Sequence, residues 1–234
     1  MVSGGLELAL MSRDPTTLQY ANIPEGRVRV GVDESGRAEA HALSDHPRLW
    51  WEAVTPARER LVQAFRISAA PVSWAQLDAV MPGRFAPPDG VSVYQVARVP
   101  WAVAEDAARL LGGRLPSEDE WESACRGGTR GLFAFGELPE SDEALEPWMG
   151  WDTRAGPTNG YGLRCLFTGE WCADVWRLNP ADPNTEASGV HVVRGGGAYF
   201  WPWQDEEWVW CLSASRNPSS ELTDPNWSFR VVKA

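Results

Sequence analysis

The spacing of apolar residues predicts a helix just after position 100. The residues that carry this pattern, at positions i, i+4, i+7 and i+8, are Val103, Ala107, Leu110 and Leu111. We expect Glu105 and Asp106 in the first turn of this helix, where the helix dipole stabilises acidic side chains. The pair Gly112-Gly113 predicts its end.

A second helix is predicted to follow at once. The segment Ser117-Glu118-Asp119-Glu120 has the form of a capping box, in which the serine and the last glutamate each bond a backbone N–H group. Trp121, Ala124 and Cys125 then form one apolar face, and Gly127-Gly128 predicts the end of the helix.

Elsewhere the pattern predicts short strands joined by long connections. Apolar-rich or alternating segments favour strands at residues 27–32, 61–67, 190–194, 209–213 and 229–232. Ser73 predicts the start of a short helix, and the polar residues 33–48 are predicted to be a loop. Because no linker divides the chain, we predict one α+β domain over residues 18–234, preceded by an extension at residues 1–17.

Charge and composition exclude several classes of function. The chain has 234 residues, and its 21 basic and 32 acidic side chains give a formal charge of −11. No basic cluster is present, so we expect no nucleic-acid partner. No apolar stretch approaches the roughly 20 residues that span a bilayer, and no leader is apparent, so we expect no membrane partner and a cytoplasmic location.

Tryptophan is the unusual component. The chain has 14 tryptophans, and several of them stand beside three consecutive acids near the C-terminus. Indoles beside acids favour a protein, a peptide or a small cationic or amphipathic ligand, so we predict a binding face there. Its predicted residues are Tyr199, Trp201, Trp203, Asp205, Glu206, Glu207, Trp208, Trp210, Asn226 and Trp227. The alternative is that the indoles fill a core with little regular structure.

The segment GGRLPSEDEWESACRGG, residues 112–128, resembles the signature of the formylglycine-generating enzyme (sulfatase-modifying factor) family. Residues 23–31, 65–73 and 194–230 resemble other segments of that family in the same order. The resemblance implies a single C-type-lectin-like domain whose binding face is formed by the late loops. The family includes copper-dependent oxidases, iron-dependent sulfoxide synthases and the variable binding proteins of diversity-generating retroelements, so function must be argued from the site.

This chain lacks part of the ligand set that the resemblance would imply for a redox metal. The copper oxidases use two cysteines in the closing segment, where this chain has only Cys211. The iron enzymes take histidines from an additional helical domain that is not in this sequence. Lone Cys211 is expected to be a small core residue, and His191 an outward-facing strand residue.

A calcium site is the other metal that the resemblance suggests. In several relatives a loop that matches residues 159–174 supplies oxygen ligands to calcium, but here Cys165 stands where Asn or Asp is usual. Glu170 and Asp174 remain the candidate metal ligands. The alternative is that both carboxylates hold loop backbone through hydrogen bonds.

Three hypotheses for function follow. The preferred one is a non-catalytic binder that uses the tryptophan-rich, acidic C-terminal segment. The second is a metal-dependent oxidase or oxygenase whose copper or iron has an atypical ligand set, such as Cys211 with Cys172. The third is an accessory subunit that docks a partner enzyme. A retroelement-diversified binder is one form of the first, although adenine-directed change of Asn codons cannot produce Trp.

Overall fold

Three small β-sheets and several short helices form the framework of the protein. The structure is a computed structural model that describes residues 14–43, 51–136, 142–180, 190–196, 208–219 and 226–234. The strands are β1 (Tyr20–Ile23), β2 (Gly26–Val30), β3 (Arg58–Val62), β4 (Phe65–Ser68), β5 (Glu170–Val175), β6 (His191–Arg194), β7 (Arg216–Ser219), β8 (Ser228–Phe229) and β9 (Val232–Lys233). The α-helices are α1 (Glu34–Leu43), α2 (Trp51–Val54), α3 (Trp74–Val80), α4 (Trp101–Leu110), α5 (Glu118–Arg126) and α6 (Asp142–Leu145). In the described ranges, 3-10 helices span Glu146–Met149 and Trp208–Cys211.

The sheets bring distant parts of the chain together. One sheet has the order β1-β4-β9, a second pairs β2 with β3, and a third has the order β7-β6-β5-β8. The pairing of β5 with β8 is parallel, whereas the other pairings are antiparallel. Because β8 and β9 belong to different sheets, the last described residues connect the two. Helices and sheets together form the α+β arrangement that was predicted.

Helix α5 lies at the centre of this arrangement. It contacts β2, β3, β5 and β6, and the side chains of Trp121, Ala124 and Cys125 are buried in the larger core cluster. The predicted capping box is present, since Ser117 Oγ accepts a hydrogen bond from the Glu120 amide and the Glu120 carboxylate accepts one from the Ser117 amide. The helix ends at Arg126 and is capped by Gly127, in agreement with the predicted end at Gly127-Gly128.

Two of the other helix predictions are confirmed. Ser73 caps α3 through a capping box with Gln76. Helix α4 is present, but it begins at Trp101 directly after Pro100, so Glu105 and Asp106 lie beyond its first turn. Instead of interacting with the helix dipole, both acids form ion pairs with Arg109.

The prediction of a loop at residues 33–48 is wrong for residues 34–43, which form α1; residues 44–48 lie outside the described ranges. Asp33 starts this helix, because its carboxylate accepts hydrogen bonds from the Gly36 amide at 2.8 Å and the Ser35 hydroxyl at 2.8 Å. The helix contributes the apolar residue Ala40 to the core. With so little apolar surface, α1 gives no periodic signal in the sequence.

The strand predictions need two kinds of correction. The single strand predicted at residues 61–67 is two strands, because β3 ends at Val62 and β4 begins at Phe65 in a different sheet. The strand predicted at residues 209–213 is wrong, since a 3-10 helix occupies Trp208–Cys211. The strand predicted at residues 229–232 is divided between β8 and β9. The predictions at 27–32 and 190–194 are confirmed as β2 and β6.

Within the described ranges, no helix combines the length and the apolar character that crossing a bilayer requires.

Candidate functional site

Glu122 is the centre of a buried ion-pair network on α5. Its Oε1 accepts hydrogen bonds from Arg126 Nη2 at 2.7 Å and from the Gly31 amide at 2.8 Å, and its Oε2 accepts one from Arg194 Nη2 at 2.5 Å. Burial alone would raise the pKa of this carboxyl, but the charges of Arg194 and Arg126 outweigh burial and hold the pKa below its usual value. Glu122 is therefore an ionised group that links α5 to β6 and to the end of β2.

A second buried pair joins Glu170 of β5 to Arg230. Arg230 Nε donates to both carboxylate oxygens of Glu170, at 3.1 and 2.9 Å, and Trp121 Nε1 donates to Oε2 at 2.9 Å. The other nitrogens of Arg230 donate to the carbonyl oxygens of Ser68 at 2.9 Å and Arg164 at 2.5 Å. Every nitrogen of this guanidinium thus has a protein acceptor, although both side chains are fully buried.

A third pair fixes the start of α5. Arg216 Nε donates to Glu118 Oε2 at 2.6 Å, and its guanidinium lies 4.2 Å from the centre of the Trp176 ring. Asp174 accepts a hydrogen bond from the Glu118 amide at 2.7 Å. Burial raises the pKa of Asp174. These contacts occupy the first turn of α5 with protein partners.

Both candidate metal ligands already have protein partners: the Glu170 carboxylate accepts hydrogen bonds from the Arg230 and Trp121 side chains, and the Asp174 carboxylate accepts one from the Glu118 amide. Among the described residues, no group of three or more His, Cys, Asp or Glu side chains could hold a metal ion. The loop that was predicted to bind calcium is held by protein contacts, because the Asn159 amide donates to the carbonyls of Ala124 and Cys125 and accepts from the amides of Tyr161 and Leu163. Calcium binding at this loop stays a prediction, and no cluster of metal-ligating side chains among the described residues supports it.

All four cysteines are buried free thiols. Burial raises the pKa of Cys125 to about 12 and that of Cys165 to about 11, and it raises the pKa of Cys172 and Cys211 as well. The thiols are therefore protonated at neutral pH in the metal-free protein. The expectation that Cys211 is a small core residue agrees with its complete burial.

The predicted C-terminal binding face is only partly described. Tyr199, Trp201, Trp203, Asp205, Glu206 and Glu207 lie outside the described residues, and Trp208 is described only in its backbone. Trp210 is half-buried against the core and Asn226 is exposed. Trp227 is a core residue rather than part of an exposed face, since it is buried and its Nε1 donates to Ser219 Oγ at 2.8 Å.

His191 also differs from its predicted outward-facing position. It is half-buried, and its ring stacks on Trp101 with the ring centres 3.7 Å apart and the planes 8° from parallel. Trp101 in turn donates from Nε1 to the carbonyl oxygen of Cys172 at 2.9 Å. The histidine is therefore part of the packing between α4 and the third sheet.

The structure also shows a cavity that no sequence motif predicted. Its volume is about 830 Å³, and its walls come from β2, α1, the segment before β3 and the end of α5. Six arginines line it: Arg27, Arg29, Arg37, Arg58, Arg126 and Arg130. The alternation of Arg27 and Arg29 along β2 is visible in the sequence and indicates one basic strand face. The other arginines belong to segments that come together only in the folded chain.

Comparison of the chain with models of known protein families shows the family to which it belongs. The model of the sulfatase-modifying factor enzyme 1-like domain matches residues 8–234. The chain belongs to this family. Its members' signature segment, residues 112–128, supplies Glu118, Trp121, Glu122 and Arg126 to the contacts described above. The fold is the single C-type-lectin-like domain that the resemblance implied.

Curated relatives in this family match parts of the chain. The formylglycine-generating enzyme of Mus musculus is 31% identical over 47% of this chain and 36% of its own length. That of Mycobacterium tuberculosis is 35% identical over 61% of this chain and 57% of its own length. The serine/threonine-protein kinase pkn1 of Chlamydia pneumoniae is 32% identical over 64% of this chain and 26% of its own length. The matches to the mouse and Chlamydia proteins span about a third or less of those relatives.

Two solved structures share the fold over almost the whole chain. PvdO from Pseudomonas aeruginosa has a TM-score of 0.63 and 20% identity, over 94% of this chain and 99% of that one. Treponema denticola variable protein 1 has a TM-score of 0.58 and 17% identity, over 91% of this chain and 94% of that one. At such identities the likeness is one of fold alone.

Proposed function

We propose that this member of the family is a non-catalytic ligand-binding protein that uses its tryptophan-rich, acidic C-terminal segment. The observation that carries the proposal is the lack of a second cysteine in the closing segment, residues 194–230. Where the resemblance implies a copper-binding pair, this chain has Cys211 alone, and its side chain is fully buried. The buried carboxylates Glu122 and Glu170 are paired with Arg194 and Arg230, so these charged groups serve the fold.

The composition of the C-terminal segment supports binding directly. Between residues 199 and 210 it contains one tyrosine, four tryptophans and the run Asp205-Glu206-Glu207. Aromatic faces attract cations and stack on planar or apolar groups, and adjacent carboxylates add charge attraction. A cationic, amphipathic peptide or protein segment is the ligand that this chemistry favours.

The scaffold fixes the chain on both sides of this segment. On the upstream side, Arg194 bonds Glu122 and two carbonyl oxygens, and Gly195 adopts a φ of +71° where a Cβ would lie 2.6 Å from the Leu166 carbonyl oxygen. On the downstream side, Cys211 and Leu212 are buried in the core. Fixed ends lower the entropy that a binding segment loses when it engages a ligand.

A metal-dependent oxidase is the alternative within the same family. Relatives named formylglycine-generating enzymes, at 31–35% identity, favour it. Against it stands the closing segment, residues 194–230, in which Cys211 is the only cysteine and is fully buried.

The binding proposal can be tested with a synthetic peptide. The probe is an amphipathic peptide of about 20 residues with lysines on one face and leucines on the other. Binding is measured by calorimetry and tryptophan fluorescence at two salt concentrations. We expect a salt-sensitive complex, and roughly tenfold or more weaker binding when Asp205→Asn, Glu206→Gln and Glu207→Gln are combined.

A matched control removes the same number of charges elsewhere. Glu25→Gln, Asp89→Asn and Glu143→Gln change exposed acids outside the proposed segment. This control should bind the peptide almost as well as the unaltered protein. The proposal is wrong if the peptide does not bind, or if both triple variants lose the same affinity.

A further inference from the structure

The arginine-lined cavity has an excess of positive charge in an acidic protein. Among the described residues that line it there are six arginines but three acids, Asp33, Glu34 and Glu59, while the whole chain carries a formal charge of −11. Concentrating one sign of charge in a concave site strengthens the local potential. The cavity is thus suited to a ligand of negative charge.

Several of the lining arginines already have partners. Arg126 donates to Glu122 and to two carbonyl oxygens, and Arg29 pairs with Asp33. Arg27 lies 3.8 Å from Glu59, although both side chains are largely exposed. These arginines shape the wall, and their charges are at least partly balanced by protein groups.

Arg58 is different, because its guanidinium is buried and poorly satisfied. Its side chain is 12% exposed, and its closest ion pair, from Nη2 to Asp119 Oδ1, is 3.8 Å long. Within the described part of the chain, Nε and Nη1 are buried and have no hydrogen-bond partner. These two nitrogens are closed to solvent, so what Arg58 offers the cavity that it lines is its charge, which Asp119 balances only through this long ion pair.

Arg130 adds a second available charge to the same cavity. Its side chain is exposed, and it makes no hydrogen bond or ion pair with any residue in the described ranges. Tyr161, Ser123 and Thr129 line the cavity nearby and carry hydroxyl groups. Arg194 also leaves its Nε without a partner, but it is not among the residues that line this cavity.

We propose that this cavity binds a small organic anion whose carboxylate or phosphate group pairs with Arg58 and Arg130. Guanidinium groups bind both oxyanions through paired hydrogen bonds, so the two kinds of anion share this chemistry. The volume is that of a small-molecule site, and Val28, Val32 and Pro56 provide apolar wall for the rest of the ligand. The described residues that line the cavity come from outside the tryptophan-rich segment, and this proposal does not depend on the function proposed for that segment.

Three probes that share one ring separate the possible anions. Phenyl phosphate, benzoate and the neutral benzyl alcohol are titrated into the full chain at millimolar concentration and followed by calorimetry and chemical shifts. We expect phenyl phosphate, benzoate or both to bind, with affinity that falls as salt rises, and benzyl alcohol not to bind. The anion that binds more tightly identifies the ligand class.

Arginine variants then place the site. Arg58→Gln and Arg130→Gln should each weaken anion binding roughly tenfold or more, since each removes a charged hydrogen-bond donor. Arg154→Gln is the matched control, because Arg154 is exposed and paired with Asp152 outside the cavity. If Arg58→Gln fails to fold, Arg130→Gln carries the test, because Arg130 has no partner in the described structure.

The proposal is overturned if neither anion binds at millimolar concentration. It is equally overturned if benzyl alcohol binds as well as the anions, or if Arg154→Gln weakens binding as much as the two cavity variants.

Discussion

Arg230 and Arg58 are both largely buried, yet only one of them is satisfied by the protein. Arg230 bonds Glu170 and two carbonyl oxygens through all three of its nitrogens. Arg58 has a single ion pair of 3.8 Å and two buried nitrogens without hydrogen-bond partners in the described structure. The comparison separates two uses of a buried charge: the fully bonded guanidinium of Arg230 holds the fold, and the weakly paired charge of Arg58 is available to a ligand.

Removing the paired arginine should have the largest effect on stability. Arg230→Met leaves the buried Glu170 carboxylate without its counter-charge, which costs on the order of 3–5 kcal/mol in the free energy of unfolding. Urea denaturation measures it. Arg109→Met is the control, since Arg109 pairs with Glu105 at the surface and its loss should cost less than about 1 kcal/mol.

A double variant sharpens this prediction. If the penalty comes from the charge left behind, combining Arg230→Met with Glu170→Leu should recover much of the lost stability. Equal losses in Arg230→Met and Arg109→Met would contradict the structural role assigned to the buried pair.

The buried network should also give a dependence of stability on pH. The folded protein holds the pKa of Glu122 below the ordinary value of 4.5, so its stabilising contribution is complete above that pH and is lost as pH falls through the folded pKa. We expect the free energy of unfolding to fall less steeply below pH 4.5 in Glu122→Gln than in the unaltered protein. Identical slopes in urea series at several acidic pH values would show that Glu122 is not the responsible group.

The smallest effect on stability is expected for the weakly paired Arg58 and for the exposed Arg130. Arg58→Gln should change the free energy of unfolding by no more than about 1 kcal/mol in either direction, because the change also removes two unsatisfied buried donors. Arg130→Gln should change it by less than about 0.5 kcal/mol. If either variant lost as much free energy of unfolding as Arg230→Met, the contrast drawn between Arg58 and Arg230 would be wrong.

The sequence predicted best those elements that are fixed by interactions between residues close together in the chain. The capping box at Ser117 and the glycine at position 127 act within a few residues, so α5 was predicted with its start and end. Helix α1 was missed because it carries so little apolar surface, and the strand predicted at residues 209–213 failed because an apolar run alone does not distinguish a strand from a short buried helix.

The candidate sites were harder to predict, since they depend on contacts between distant segments. The motif residue Glu122 meets Arg194 and the Gly31 amide only in the folded chain. The cavity arginines Arg58 and Arg130 come from segments separated by about 70 residues, and no spacing rule joins them. Trp227 was predicted on an exposed face because its tryptophan-rich neighbourhood did not show which indole enters the core.

Copper loading tests the central claim, that this chain keeps the family's fold but does not provide a thiolate copper site. The protein is purified without chelators, offered Cu(I), and assayed for bound metal and for oxygen uptake with a thiol reductant. The account predicts no stoichiometric copper and no oxygen uptake above that of free copper, because the closing segment holds Cys211 alone and this residue is buried in the core. One copper per chain, with oxygen uptake that is lost in Cys211→Ser, would contradict it and establish the oxidase alternative.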